Sequence, residues 1–284
     1  MNLEFVVLGE KGVREACLQT FSIWHQGRDF DAYTDRVLDA VRRMGGAMRY
    51  VGLVSKEGEL VASARELDAE LTYMGARIPA MGIAAVFVRE DLRRQGYGKR
   101  LVQTLLADAQ ARGFQAAYLF SDINPEYYAA HGFTLCHASA WLAPLESLPA
   151  EEPLNMRPAL PEDQPRLMAL YHASLPETLL GTHRNATWWG YFRWWREASG
   201  DYVLSLDGHA VGYMNISVRG EVLHVYEWAA PDVPPERVWA TVRQYAAAHG
   251  LLQIGGWWNP HRAEPWMRRG ARQAAIPMIR WLSD

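Results

Sequence analysis

Cysteine and long uncharged segments are scarce in this sequence. The 284 residues include two cysteines, Cys17 and Cys136, which lie in apolar surroundings and form no Cys-x-x-Cys or Cys/His pattern. Isolated thiols of this kind are typical of buried, reduced cysteines, so we expect no metal and a reducing, cytoplasmic compartment. No uncharged stretch approaches the roughly 20 residues that a helix needs to cross a bilayer, and we expect no membrane partner.

An excess of charge of one sign is also lacking. The net charge is −3, and charged residues make up 21% of the chain. This balance creates no overall field that would draw the protein onto nucleic acid, so we expect no nucleic-acid partner and only local anion sites. Hydrophobic residues, at 49%, suffice for one large core or two ordinary ones, and the length favours two domains.

The sequence divides near its middle. Prolines and acidic residues replace the apolar periodicity over Leu142–Pro158, which predicts a linker. On either side, Arg49–Leu67 and Asp201–Ser217 both have the pattern of a strand, a turn and a strand, and each follows a helical pattern. The sequence therefore predicts two copies of one α/β fold, in residues 1–148 and 153–284.

A basic, glycine-containing loop joins a predicted strand, residues 81–88, to a predicted helix, residues 97–113. The helix carries Leu101, Leu105, Leu106 and Ala109 on one face, which predicts packing against a sheet. A strand over residues 114–122, a short helix over 124–132 and a strand over 133–143 are expected to follow. The loop would present successive amides and the positive end of the helix dipole, an arrangement suited to phosphate.

Several interpretations of this loop compete. A P-loop needs Ser or Thr after Gly98-Lys99, and Arg100 stands there instead. A dinucleotide fingerprint needs a third glycine where Leu101 stands, and the segments before the loop lack the strand-helix-strand order. An ordinary basic turn at a helix start also remains open.

Two stretches carry a family resemblance. Residues 86–101, VFVREDLRRQGYGKRL, resemble the acetyl-CoA signature [QR]-x-x-G-x-[GA] of the GCN5-related N-acetyltransferase (GNAT) superfamily, and residues 121–133, SDINPEYYAAHGF, resemble its Y-x-x-x-G-F ending. The resemblance implies acetyl-CoA as cosubstrate and two tandem GNAT-like domains, each a mixed, mostly antiparallel sheet flanked by helices. It implies binding of the pantetheine arm and pyrophosphate by Phe87, Val88, Arg93, Arg94, Gln95, Gly96, Tyr97, Gly98 and Lys99.

The same resemblance assigns chemistry to Tyr128, four residues before Gly132, as the general acid that protonates the leaving thiolate. Packing in the core is the alternative role for this side chain, and packing is what we expect of Tyr127. The backbone amide of Val88 would stabilise the oxyanion. Relatives often carry a glutamate on the strand before the signature, but residues 81–88 contain no carboxylate, so the general base stays open between a water relay and a distant carboxylate.

The acceptor is expected to be an amine, and we favour a small molecule over a protein. In the family the early helices cover the thioester, and residues 24–36, which include Asp35, combine aromatic and acidic side chains suited to a cation with apolar parts. The substrate-binding candidates are Trp24, Asp29, Phe30 and Asp31. The acids have an alternative role as helix caps or solvated charges.

The second half departs from the signature. Pro231, Pro234 and Pro235 stand where the first half has glycines, and proline has no amide hydrogen to offer a phosphate. We therefore expect a degenerate GNAT-like domain in residues 153–284, in a tandem arrangement similar to the enhanced intracellular survival family of acetyltransferases.

A tryptophan-rich segment, Thr187–Glu197, is also conspicuous. We favour packing between domains or subunits, including a homo-oligomer, over a wall of the acceptor site, and the acidic net charge argues against stacking on nucleic-acid bases. For the whole chain we expect an N-acetyltransferase. The alternative is a non-catalytic acyl-CoA-binding sensor or assembly module.

Overall fold

The structure is a computed structural model and describes residues 2–136, 139–175, 180–196, 198–257, 263–272 and 274–282. In these ranges the α-helices are α1 (Glu10–Trp24), α2 (Phe30–Met44), α3 (Tyr97–Ala111), α4 (Glu126–Ala129), α5 (Gln164–Ser174), α6 (Ala186–Trp195) and α7 (Pro235–Ala248). The strands are β1 (Leu3–Val7), β2 (Met48–Ser55), β3 (Leu60–Tyr73), β4 (Ala76–Val88), β5 (Ala116–Ser121), β6 (Thr134–Leu135), β7 (Ser139–Pro144), β8 (Asn155–Pro158), β9 (Leu180–His183), β10 (Gly200–Leu206), β11 (His209–Arg219), β12 (Val222–Ala229), β13 (Gln253–Trp257), β14 (Arg268–Ala271) and β15 (Ile276–Trp281). No described helix is long and apolar enough to cross a membrane.

The chain forms two compact units whose limits differ from the division expected at residues 148–153. Unit 1 comprises Met1–Leu71, Arg77–Cys136 and Ala274–Asp284, and unit 2 comprises Thr72–Ala76 and His137–Gln273. Strand β7 therefore belongs to unit 2, although it comes from the first half of the sequence, and the last strand, β15, belongs to unit 1.

The sheet of unit 1 has the strand order β1-β2-β3-β4-β5-β15-β6. Strands β4 and β5 are parallel and are joined through α3, whereas β1 and β2, β2 and β3, and β15 with both its neighbours pair antiparallel. Strand β15 lies between β5 and β6, so the sheet of unit 1 is completed by residues from the end of the chain.

The sheet of unit 2 has the order β8-β10-β11-β12-β13-β7-β14, which corresponds strand by strand to unit 1. Strands β12 and β13 form the parallel pair, joined through α7, and β7 takes the position that β15 has in unit 1. The two mixed, mostly antiparallel sheets flanked by helices confirm the predicted fold class.

Two local predictions around the middle of the chain were wrong. The strand predicted over residues 133–143 divides into β6 and β7, which belong to different sheets. The linker predicted over Leu142–Pro158 includes the end of β7 and all of β8, which pairs with β10. Proline removes a ladder hydrogen bond, but β8 is the edge strand of its sheet, where Pro158 is tolerated.

The core of unit 1 has a layer on each face of the sheet. Helix α3 buries Leu101, Leu105, Leu106 and Ala109 as its periodicity predicts, together with Met81 and Leu119 from the parallel strands. Helices α1 and α2 form a second cluster that includes Cys17. Burial raises the pKa of the Cys17 thiol to about 11, so it is protonated at neutral pH. Both cysteines are free; Cys17 is buried and Cys136 is half-buried.

Unit 2 has two corresponding layers. Helix α7 packs Val238, Trp239 and Val242 into one cluster. In the second cluster, Trp189 of the tryptophan-rich segment packs with Tyr171 and Tyr213. Trp188 is also buried. Part of this segment is therefore core of its own unit, an outcome that the sequence alone did not favour. Glu197, at its end, lies outside the described residues.

Candidate functional site

The parallel strands of unit 1 separate near their carboxyl ends. Strand β4 pairs with β5 from Ala80↔Ala116 to Ile83↔Leu119, yet β4 continues to Val88. Ala85 has φ +49°, an unusual value for a residue with a side chain and one that bends the strand. In the pairing that the structure describes, Val86–Val88 have no ladder partner on the β5 side. An extended ligand could add hydrogen bonds there as a strand would.

The loop after β4 turns through a short 3₁₀ helix, Glu90–Leu92, and then through left-handed backbone. Arg94 has φ +62°, and Gly96, the N-cap residue just before α3, has φ +84°. The amide of Arg100 donates to the Gly96 carbonyl at 3.0 Å, which closes the first helical turn. The amides of Tyr97–Lys99 come before this first helical hydrogen bond and have no carbonyl partner within the helix. The positive end of the helix dipole lies at the same place. Free amides at a helix start, together with the positive end of the helix dipole, are groups that commonly bind phosphates in proteins.

Gly98 lies where the loop, β4 and α4 meet. A Cβ atom on this residue would be 2.7 Å from the hydroxyl oxygen of Tyr127 and 3.3 Å from Cγ2 of Val88. Only glycine fits at that distance without displacing the tyrosine. Tyr127 does pack against the core as expected, but the sequence interpretation missed that its hydroxyl reaches the glycine loop. The Tyr-Tyr pair in the short helix was the available signal.

The polar side chains of the loop divide into two groups. Arg93 donates to the Val88 carbonyl at 3.3 Å and to Glu90 at 3.2 Å, and its guanidinium lies 5.2 Å from the Phe87 ring. Gln95 donates to the Asp91 carbonyl at 3.4 Å. These two side chains hold the loop itself. Arg94 and Lys99 are exposed and have no ion-pair partner among the described residues, so their charge is available to a ligand.

Tyr128 lies on α4, directly after β5, and is 8% exposed. Its ring packs against Tyr127 and Phe133, with centroid distances of 5.0 and 5.9 Å. Burial, followed by the influence of Tyr127 and Asp122, raises the pKa of its phenol to about 12. The hydroxyl therefore keeps its proton at neutral pH, as a general acid must before it acts.

His131, the residue before Gly132, is also buried. Its ring lies 5.3 Å from that of Tyr127. Burial lowers the pKa of the imidazole, and the nearby charges of Lys99 and Arg280 lower it further. The neutral form of His131 is therefore favoured at neutral pH, beside the glycine loop.

A buried carboxylate on β3 takes part in ion pairs, which both involve its Oε2 atom. Glu66, on β3, is fully buried and forms ion pairs with Arg49 and with Arg112, the latter at 3.0 Å. Among the described residues, no group of three or more His, Cys, Asp or Glu side chains is arranged to hold a metal ion.

The four acceptor candidates occupy different environments. Trp24, at the end of α1, contacts Phe87 of β4 edge to face at 6.5 Å, so the structure brings it to the proposed cofactor strand. Phe30 packs edge to face on Phe21 at 5.7 Å. Asp29 accepts a hydrogen bond from the Ala32 amide at 2.8 Å and caps α2. Asp31 is exposed in the first turn of that helix.

The corresponding region of unit 2 has a similar backbone and different chemistry. Strand β12 pairs with β13 from Val222↔Gln253 to Val225↔Gly256, and the register against β11 shifts at Tyr226. Helix α7 then begins at Pro235 after Pro234, and Glu236 lies in its first turn. Pro235, at the position of Tyr97 in α3, has no amide hydrogen, and neither has Pro234 before it; the Glu236 carboxylate adds negative charge at the positive end of the helix dipole.

Residues 19–136 match the family model described as "Acetyltransferase (GNAT) domain". A conserved protein of unknown function from Enterococcus faecalis, described as a probable N-acyltransferase, is 13% identical with a TM-score of 0.79. The match covers 99% of this chain and 73% of the other. A GCN5-related N-acetyltransferase from Anabaena variabilis is 16% identical with a TM-score of 0.77, at 99% and 73% coverage. Eis1 from Mycobacterium abscessus is 18% identical with a TM-score of 0.65, at 99% and 74% coverage.

No curated protein sequence matches the chain. At these identities the likeness to solved structures establishes the fold, and the family model identifies the domain that holds the glycine loop. Residues 19–136 thus match the model of a GNAT acetyltransferase domain, and the fold of the chain is similar to the folds of the GCN5-related N-acetyltransferase from Anabaena variabilis and of Eis1 from Mycobacterium abscessus.

Proposed function

We propose that unit 1 transfers an acetyl group from acetyl-CoA to a primary amine by direct attack in a ternary complex. The observation that carries the proposal is the anion site at the start of α3 beside two strands that separate. The amides of Tyr97–Lys99 suit a pyrophosphate, and the unpaired edge at Val86–Val88 suits an extended pantetheine arm. Acetyl-CoA supplies an activated thioester to this site.

The residues of the chain would act on each part of the reaction. The Val88 amide would donate to the carbonyl oxygen as negative charge develops there. Tyr128 would give its phenolic proton to the sulfur as the carbon–sulfur bond breaks, since its raised pKa keeps that proton in place beforehand. A water held by backbone carbonyls would take the proton from the amine nitrogen as the carbon–nitrogen bond forms, because β4 has no carboxylate.

We propose a small-molecule amine as the acceptor. Trp24 and Phe87 provide an apolar surface at β4, and the exposed Asp31 provides negative charge at the start of α2. Asp29 contributes less, because its carboxylate already caps the helix. Unit 2 has no comparable glycine loop, so we propose that it is a degenerate copy that does not bind acetyl-CoA.

An amine panel tests the proposal. The full chain would be incubated with acetyl-CoA and polyamines, aminoglycosides, amino acids or lysine peptides, with thiol release and acetylated product followed by mass spectrometry. We expect one CoA and one acetylated amine per turnover, and calorimetry should give one acetyl-CoA per chain. Tight acetyl-CoA binding without transfer to any amine would favour the non-catalytic module, and two sites per chain would contradict the degenerate copy.

A further inference from the structure

A small polar pocket lies inside unit 2, between the end of β8, the end of α6 and the start of β10. Its volume is about 250 Å³. The charged and amide side chains that line it are Arg193, Arg196, Asp201 and Asn215. Neither the glycine loop nor any residue assigned to acetyl transfer takes part in it.

The Asp201 carboxylate fixes the orientation of the Asn215 side-chain amide. Asp201 accepts a hydrogen bond from Nδ2 of Asn215 at 2.7 Å and pairs with Nε of Arg193 at 3.1 Å. Because the carboxylate can only accept, the amide nitrogen of Asn215 must face it, and the amide oxygen faces elsewhere. That oxygen is buried and accepts no hydrogen bond from any described residue, and Asn215 as a whole is 6% exposed. A buried acceptor of this kind calls for a donor.

Arg196 supplies a second unmatched group. Its guanidinium lies 5.1 Å from the Phe192 ring, and it pairs with no carboxylate among the described residues. The neighbouring charges are matched: Arg184 pairs with Glu227 at 2.5 Å, and Arg193 pairs with Asp201. Burial lowers the pKa of Arg196, although the nearby carboxylates of Glu227 and Asp201 act in the opposite direction. The neighbourhood therefore has one positive charge in excess.

We propose that this pocket binds a small zwitterion of the α-amino-acid class. The ligand carboxylate pairs with the Arg196 guanidinium, and the ligand ammonium donates to the free oxygen of Asn215 near Asp201. An inorganic anion would satisfy Arg196 but would also face the Asp201 carboxylate. A simple amine would satisfy Asn215 but would leave Arg196 unpaired. The volume is below the usual range for drug-sized ligands, in keeping with a molecule of this size.

Calorimetry and thermal unfolding of the full chain with each of the twenty common α-amino acids, at up to about 10 mM, test the proposal. At least one amino acid should bind. The matched carboxylic acid without the amine, and the matched amine without the carboxylate, should each bind at least tenfold more weakly. Arg196→Gln should reduce affinity for the amino acid at least tenfold.

Two further variants separate lost binding from lost folding. Arg219→Gln removes an exposed arginine of the same unit that lies outside the pocket, and it should bind as the parent does. Ser199→Phe fills the pocket without removing a charge and should abolish binding while the thermal transition is retained. The proposal is wrong if no amino acid binds the parent, or if folded Arg196→Gln or Ser199→Phe binds as tightly as the parent. Equal binding of the carboxylic acid without the amine would overturn the assignment of Asn215.

Discussion

The junction between the first parallel strand, β4 or β12, and the helix that follows it differs sharply between the two units. In unit 1, Gly96 and Gly98 open the start of α3 and leave three amides ahead of its first hydrogen bond. In unit 2, Pro235 removes the first of the three corresponding donors, Pro234 before it also lacks an amide hydrogen, and Glu236 adds a negative charge. Two sheets with corresponding strand orders thus carry one junction suited to an anion and one junction unsuited to it.

The residues at the carboxyl ends of β4 and β12 differ as well. Unit 1 has the apolar sequence Val86–Val88. Unit 2 has Glu227, bound by Arg184 through contacts of 2.8 and 2.5 Å and by the Tyr213 hydroxyl at 2.6 Å. The carboxylate that β4 lacks is therefore present on β12, but it is fully engaged and cannot serve as a base. The difference teaches that the proposed chemistry depends on the loop and the strand end, whereas the sheet provides only their positions.

The largest effect is expected from removing β15, the strand from the end of the chain that completes the sheet of unit 1. Residues 1–150 alone lack β15, whose Met278 and Ile279 are buried and which lies between β5 and β6. We expect this fragment to aggregate and to bind no acetyl-CoA, as judged by size-exclusion chromatography and calorimetry. Joining residues 274–284 to residue 136 through a Gly/Ser linker should restore a soluble fragment. A monodisperse, fully active fragment 1–150 would show that β15 is dispensable.

The second largest effect is expected from breaking the buried Arg184–Glu227 ion pair of unit 2. Arg184→Met leaves the Glu227 carboxylate without its main partner, and we expect a loss of about 3–5 kcal/mol in the free energy of unfolding. Urea unfolding followed by tryptophan fluorescence would report it, since Trp189 lies 5.7 Å from the Arg184 guanidinium. Arg219→Met, an exposed control in the same unit, should change stability by less than about 0.5 kcal/mol. A similar loss in both variants would contradict the prediction.

The stability that the Arg184–Glu227 pair contributes should change with pH in a definite direction. Although burial opposes it, Arg184 lowers the pKa of Glu227 below its usual value. The stability from this carboxylate should be complete above the ordinary pKa of about 4.3 and lost as the pH falls further. In Arg184→Met, burial acts without this partner and should raise the pKa, so stability should instead fall as the pH rises. Unfolding curves between about pH 3 and pH 7 would show the two opposite slopes.

The adjacent tyrosines of unit 1 offer a matched pair. Tyr128→Phe should keep acetyl-CoA binding and lose about tenfold to ten-thousandfold in turnover, because a general acid contributes in that range. Tyr127→Phe removes the hydroxyl beside Gly98 and should weaken acetyl-CoA binding more than it slows turnover. Steady-state kinetics with calorimetry would separate the two effects. The reverse pattern would assign the acid to Tyr127.

The glycine loop itself should give the smallest of these effects. Gly96→Val places a β-branched residue at φ +84°, which disturbs the start of α3, and should weaken acetyl-CoA binding by about tenfold or more. Gly113→Val imposes the same strain at φ +85° just beyond the other end of α3. The control should lose stability but keep its affinity. Unchanged binding by folded Gly96→Val would remove the loop from the cofactor site.

The sequence by itself determined the parts that depend on neighbouring residues. The apolar spacing of α3, the glycines before it and the prolines before α7 set local backbone shape and the supply of amide donors. Both hairpins and the two-copy α/β fold followed from the same kind of pattern, and the structure confirms them. Such features are readable because a residue's own chemistry, or its spacing over a few turns, is sufficient to cause them.

The tertiary structure decided which strands join which sheet and which side chains meet. Strands β7 and β15 each complete the unit formed mainly by the other half of the sequence. The Arg184–Glu227 pair joins residues 43 positions apart, and the hydroxyl of Tyr127 reaches Gly98 only because α4 lies beside the start of α3. Contacts between residues distant in sequence depend on how the whole chain packs, and no local pattern in the amino-acid sequence records them.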